Sequence, residues 1–196
     1  MKPESRILGI DDGPFNKFSG CKRALVVGAL FRGCHFLDGV LSTTAEVDGL
    51  DATANIINMI KRSRFYAQIR IILFKGIAVG GFNILDIKEI HRKTRIPVII
   101  FMRRLPDLEK IKGALSNLPL SEKRWLLIRK AGRIYTIRIF HRDSEKQAYL
   151  QLAGIKLCEA EPIIRASCTH SAIPEPLRIA HIIASGIIKG ESRGKA

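Results

Sequence analysis

The feature that most constrains the fold is the order of apolar runs in the first 102 residues. "RILGI" is a short apolar run that ends at Asp11-Asp12-Gly13, and it reads as a buried strand with acids at its C-terminal end. "DDGPFNKFSGCK" is loop by its glycine, proline and asparagine. "RALVVGALFRG" and "CHFLDGVLSTTAEV" are two strand patterns of about ten residues, joined near Gly33 by a connection short enough to make them antiparallel. From there the pattern alternates. "DGLDATANIINMIKRSRF" carries Ile56, Ile57, Ile60 and Phe65 at near-helical spacing, with Asp51 as a natural N-cap. "AQIRIILF" is a buried strand, "FNILDIKEIHRKT" a helix with Ile84, Ile87 and Ile90 spaced by three, and "IPVIIFM" another buried strand. The predicted order is β-β-β-α-β-α-β. Three meandering strands followed by crossover helices imply a mixed sheet in an α/β protein.

Beyond Met102 the pattern loosens. "RRLPDLEKIKGAL" and "LSEKRWLLIRKAG" read as helices, and "RIYTIRIFHR" alternates like an exposed or edge strand. "DSEKQAYLQLAG" reads as a helix with an Asp-Ser start, whereas "EAEPIIRASCTHSAI" has no clear pattern. "PEPLRIAHIIASGIIKG" is a closing helix, with proline in its first turn and Gly190 as its stop. Residues 190–196 read as a mobile basic tail. No repeat and no long linker divides the chain, so residues 1–196 are expected to form one domain.

Charge narrows the class of partner. The chain carries 33 Lys and Arg against 18 Asp and Glu, a net +15. A field of that sign attracts polyanions, DNA or RNA first, with an anionic membrane surface as the competitor. No apolar run approaches the ~20 residues of a membrane span, and no signal-peptide pattern opens the chain, so a cytoplasmic protein is expected. The four cysteines at 21, 34, 158 and 168 form no C-x-x-C pair. They read as small buried or half-buried thiols rather than as a zinc or redox site.

Parallel strands deliver their C-terminal ends to one edge, where sites collect. Asp11 and Asp12 reach that edge from the first strand, Asp48 and Asp51 from the start of the first helix, Lys75 and its glycine loop from the fourth strand, and Glu175 from the start of the last helix. Convergent carboxylates suit Mg²⁺, and two such ions about 4 Å apart clamp a phosphodiester. Each acid also has a plainer role: turn chemistry for Asp11-Asp12-Gly13, a turn and an N-cap for Asp48 and Asp51, a helix start for Glu175. The five histidines show no i,i+4 pair and no Ser/His/Asp order. "KGIAVGG" lacks the G-K-[ST] end of a P-loop.

"ILGIDDGPF", "VDGLDAT", "GIAVGGFNILDI", "PVIIFMRR", "IPEPLRIAHIIASGI" and "GESRGKA" together resemble the archaeal domain-of-unknown-function family 99, also called endonuclease dU. That family is related to endonuclease V and has the ribonuclease H-like fold. The resemblance implies three antiparallel strands and then parallel βαβ units. It also implies carboxylates that hold Mg²⁺ or Mn²⁺, and cleavage of DNA near deaminated bases, deoxyuridine or deoxyinosine. The first metal ligand falls on Asp11 and the second on Asp48 or Asp51, with Glu175 a further catalytic candidate. The third belongs to an Asp-Gly pair, and this chain has Lys75-Gly76 there. An ammonium repels a divalent ion but can hold a phosphate as a point charge. Lys75, Arg103, Arg104 and Arg178 are the expected nucleic-acid contacts. The alternatives that remain are a protein that binds nucleic acid but cuts poorly because of Lys75, and a small-molecule enzyme whose basic charge is incidental.

Overall fold

The structure, a computed structural model, describes residues 4–15, 22–141 and 144–192. Three strands, β1 (Arg6–Asp12), β2 (Arg23–Arg32) and β3 (Phe36–Glu46), form an antiparallel meander. Helix α1 (Ala52–Arg62) then leads to β4 (Ile69–Lys75), which lies parallel to β1. A two-residue hairpin, β5 (Ala78–Val79) and β6 (Asn83–Ile84), precedes α2 (Ile87–Thr94). Strand β7 (Val98–Met102) lies parallel to β4. Helices α3 (Leu108–Leu115) and α4 (Ser121–Ala131) are followed by β8 (Tyr135–His141) and β9 (Ser144–Ala153), then by α5 (Leu157–Ser167) and α6 (Glu175–Lys189). The main sheet has seven strands in the order β3-β2-β1-β4-β7-β9-β8, with β1, β4 and β7 parallel and the others antiparallel. The β-β-β-α-β-α-β expectation therefore holds for the main sheet.

The centre of the sheet is buried on both faces, which is why Ile71–Phe74 of β4 reads as a continuous apolar run. Ile72 and Phe74 point to one face and pack with Ile56 and Ile60 of α1 and Ile87 and Ile90 of α2. Ile71 and Leu73 point to the other and pack with Ile163 and Ile164 of α5 and Leu177 of α6. A smaller cluster of Ile84, Leu115 and Ile128 seats α3 and α4 beside the hairpin. Among the described residues, no helix is long and apolar enough to cross a membrane.

The structure corrects several expectations. Residues 144–153 are a strand, not a helix. Ala148 and Leu150 repeat with period two and pair across to β7 and β8, and that pairing overrides the helix-forming Glu145, Lys146 and Gln147. The Asp143 of the expected helix start lies outside the described residues, as do Cys21 and residues 193–196 of the expected tail. Ile84 belongs to β6, so α2 begins three residues later; Asp86 caps it by accepting from the Glu89 N–H at 2.9 Å. The patternless stretch around Pro162 is helix α5, whose interior proline hides it from sequence rules. Cys34 and Cys168 are buried as expected, but Cys158 is exposed. Burial, and then the nearby Cys34, push the Cys168 thiol up to about 12.

Gly9 sets the position of the last helix. A Cβ there would lie 2.3 Å from the carbonyl carbon of Pro176 and 2.6 Å from the nitrogen of Leu177. The first turn of α6 therefore rests on the backbone of β1, and α6 then runs alongside the acidic end of that strand.

Candidate functional site at the strand ends

Asp11 lies near the C-terminal end of β1 and is only 5% exposed. Two cation-forming side chains meet its Oδ2. Lys75, the last residue of β4, brings its Nζ to 3.2 Å, and His181 of α6 brings its Nδ1 to 2.9 Å. With an ionised carboxylate the second contact requires the proton on Nδ1. Parallel pairing explains the first contact, since β1 and β4 end side by side. The packing of α6 against Gly9 explains the second.

Asp12 points to the glycine loop. Its Oδ2 accepts the Gly80 N–H at 2.8 Å, and the Gly80 carbonyl accepts the Asp48 N–H at 2.8 Å. Burial raises the Asp12 carboxyl from its ordinary 3.8 to about 6. The Asp11 charge adds to the rise, while the Gly80 N–H and the Lys75 charge oppose it.

The remaining predicted acids are placed elsewhere. Asp48 has a φ of 53° and accepts the Phe82 N–H at 2.7 Å, so its carboxylate braces the hairpin turn. Asp51 is the N-cap of α1 by position, but its side chain does not cap the helix. It bridges segments instead, accepting from Glu46 N–H and Asn83 on Oδ1 and from Arg23 and Asn55 on Oδ2, all between 2.8 and 3.0 Å. Burial alone would raise this carboxyl, but the hydrogen bonds from Glu46, Asn83 and Arg23 outweigh burial and hold it low. Glu175, at the first turn of α6, binds Arg178 through both oxygens and has His170 Nδ1 at 3.3 Å. There too burial raises the carboxyl, and the Arg178 hydrogen bond and charge reverse it. The structure thus joins Asp11, Lys75 and His181, links Asp12 to Asp48 through Gly80, and keeps Asp51 and Glu175 in separate networks.

This arrangement decides how well a divalent ion fits. Among the described residues, no three of His, Cys, Asp and Glu are grouped to hold a metal ion. The inner oxygen of Asp11 already faces an ammonium, and Asp51 spends both oxygens on structural donors. The residues as assembled do not fit a two-ion carboxylate site.

They do form a cationic groove. Beside α6 lies a cleft of about 750 Å³, lined among others by Arg103, Arg104, Lys146, His170, Arg178 and His181. A smaller concavity of about 380 Å³ shares Phe101, Arg103, Arg104 and Ile173 with it and is also lined by Lys75 and Gly76. All four predicted nucleic-acid residues line these two spaces. Sequence reasoning missed His181, His170 and Lys146. His181 carried a signal, since it stands three residues after Arg178 and so on the same helix face. Lys146 was hidden by the helix assignment of β9. Arg124 was missed as well. It is 3% exposed and donates to four backbone carbonyls, those of Asp48, Gly49, Phe82 and Pro119, which locks α4 onto the loops that hold Asp12.

The fold has known counterparts. A crystal structure of a protein of unknown function from Archaeoglobus fulgidus is 41% identical and superposes with a TM-score of 0.83, covering 95% of this chain and 99% of that one. Endonuclease V of Ciona intestinalis, solved with a 24mer DNA containing an inosine, has a TM-score of 0.60 at 14% identity, over 90% of this chain and 82% of its own. At that identity the likeness shows the shared ribonuclease H-like fold alone. A UPF0215 protein of Methanosarcina barkeri is 50% identical over 196 residues, 100% of this chain and 97% of its own. A family model described as endonuclease dU matches residues 3–188. With that span matched and half its residues shared with a full-length relative, the chain belongs to the endonuclease dU family.

Proposed function

We propose that this protein binds nucleic acid through the cationic groove at the C-terminal edge of β1, β4 and β7, with DNA carrying deoxyuridine or deoxyinosine as its substrate class. One observation carries the reading. Arg103 and Arg104 after β7, Lys146 on β9, Arg178 on α6 and Lys75 on β4 come from four separate elements and converge on connected spaces beside Asp11. Cations gathered around one concave surface suit a phosphate backbone, and the net +15 adds a long-range attraction. The family name and the inosine-containing DNA of the Ciona enzyme support the choice of substrate.

Endonucleolytic cutting with Mg²⁺ or Mn²⁺ is the activity this reading extends to. A second reading, binding with impaired cutting, is favoured by the Lys75–Asp11 contact. Binding and incision of oligonucleotides containing deoxyuridine, deoxyinosine or neither, measured with Mg²⁺, Mn²⁺ or EDTA, test both. A preference for the deaminated strands and a steep loss of affinity from about 50 to about 200 mM salt are expected. Affinity indifferent to salt would remove nucleic acid as the partner. Tight binding with no incision under any metal would leave the second reading standing.

A further inference from the structure

Lys75 is at once the charge partner of a buried acid and part of the groove wall. Its Nζ lies 3.2 Å from Asp11 Oδ2, yet its side chain is 28% exposed and lines the smaller concavity with Arg103 and Arg104. An ammonium carries three N–H donors. Among the described residues Asp11 is its only hydrogen-bond partner, which leaves two donors for a ligand on the groove side. Among the described residues Asp11 is the one acid that hydrogen-bonds Lys75, and His181 meets the same oxygen; Asp12 feels the ammonium only as a nearby charge.

A group of one positive charge, held by a buried carboxylate and open to an anion on its other side, does what a bound cation does when it bridges protein to phosphate. We propose that Lys75 takes the place of a divalent cation at this edge. Its ammonium bridges Asp11 to a backbone phosphate, so nucleic acid binds here without a metal ion. Arg103 and Arg104, beyond it in the same concavity, hold the neighbouring phosphate oxygens. A divalent ion is repelled from Asp11 for as long as the ammonium is there. The choice of a nucleic-acid phosphate as the anion rests on the function proposed above; the exclusion of metal from Asp11 does not.

The test uses the full chain and its Lys75→Met, Lys75→Asp and Asp11→Asn variants, with folding checked by circular dichroism. Mn²⁺ alone is titrated by electron paramagnetic resonance. Affinity for an unmodified single-stranded oligonucleotide is read by fluorescence anisotropy in EDTA and in Mn²⁺. The parent is expected to show no specific Mn²⁺ site and the same DNA affinity in EDTA as in Mn²⁺. Lys75→Asp gains a Mn²⁺ site, and its DNA binding becomes Mn²⁺-dependent. Lys75→Met binds DNA more weakly, and the slope of log affinity against log salt falls by about one, the value of a single lost phosphate contact. A parent Mn²⁺ site that disappears in Asp11→Asn would overturn the proposal, as would an unchanged salt slope in Lys75→Met. If Lys75→Asp fails to fold, the parent titration and Lys75→Met still decide. If the parent binds no DNA at all, the functional reading fails, while the Mn²⁺ titrations report separately on whether Lys75 keeps metal from Asp11.

Discussion

Asp12 makes the protein less stable at neutral pH than an uncharged group in its place would. Its carboxyl titrates at about 6 in the folded chain instead of 3.8, because burial and the adjacent Asp11 disfavour the charge. Below about pH 3.8 the carboxyl is protonated in both folded and unfolded chains and contributes no difference. Between 3.8 and 6 the folded chain holds a proton that the unfolded chain has released, so stability falls as pH rises through that window. Above 6 the whole penalty is present. The rise of about two pH units corresponds to at most about 3 kcal/mol, and water reaching the half-buried side chain lowers this to about 1–3 kcal/mol. Asp12→Asn keeps an oxygen for the Gly80 N–H, at 2.8 Å in the parent, while removing the charge. Urea unfolding of parent and variant at pH 3.5, 5 and 7 is the assay. The variant should match the parent at pH 3.5 and exceed it by about 1–3 kcal/mol at pH 7. Other carboxylates titrate in the same range, but they do so in both proteins and cancel from the difference. A variant less stable at pH 7, or a gap that does not change with pH, would refute the reasoning.

Two further substitutions probe what holds the site in place. Gly9→Ala puts a methyl group 2.3 Å from the Pro176 carbonyl carbon, an atom of the main chain that no rotamer can move aside; a loss of at least about 3 kcal/mol is expected in chemical denaturation, and a loss below about 1 kcal/mol would mean that α6 is not seated on β1. Arg124→Met strips the donors from the carbonyls of Asp48, Gly49, Phe82 and Pro119; a cost of about 2–4 kcal/mol is expected, and Arg124→Lys should recover under half of it because one ammonium cannot serve four acceptors spread around a planar fork.

The parts of the fold that were legible in the sequence are those whose reasons are local. Ile56, Ile57 and Ile60 mark α1, and the continuous apolar run Ile71–Phe74 reports a strand buried on both faces. Where the reason is distant, reading failed. Glu145, Lys146 and Gln147 favour a helix by themselves and become a strand only because β7 and β8 lie on either side. Ile84 stands three residues before Ile87, so a two-residue strand imitates a helix turn. Asp51 occupies an N-cap position, yet its carboxylate is claimed by Arg23 and Asn83, 28 and 32 residues away. The site divides in the same way. Asp11 and Lys75 were visible as strand ends; the place of His181 on the Arg178 face of the last helix was legible too, but its contact with Asp11 spans 170 residues and has no local signal.

The same backbone can therefore present different chemistry at the edge where β1, β4 and β7 end. Parallel pairing delivers residue 11 and residue 75 to adjacent positions whatever their side chains are. Two acids there would repel one another and demand a cation between them. An acid and a lysine satisfy each other, as the 3.2 Å contact of Asp11 and Lys75 does, and the remaining charge demand turns outward to the groove, where Arg103, Arg104 and Lys146 already favour an anion. His181 strengthens that direction, because its Nδ1 is committed to Asp11 and its ring lines the larger cleft. On the proposal made above, a single residue at the end of β4 sets which ion the edge attracts, while the sheet, the glycine loop and the packing of α6 on Gly9 stay as they are.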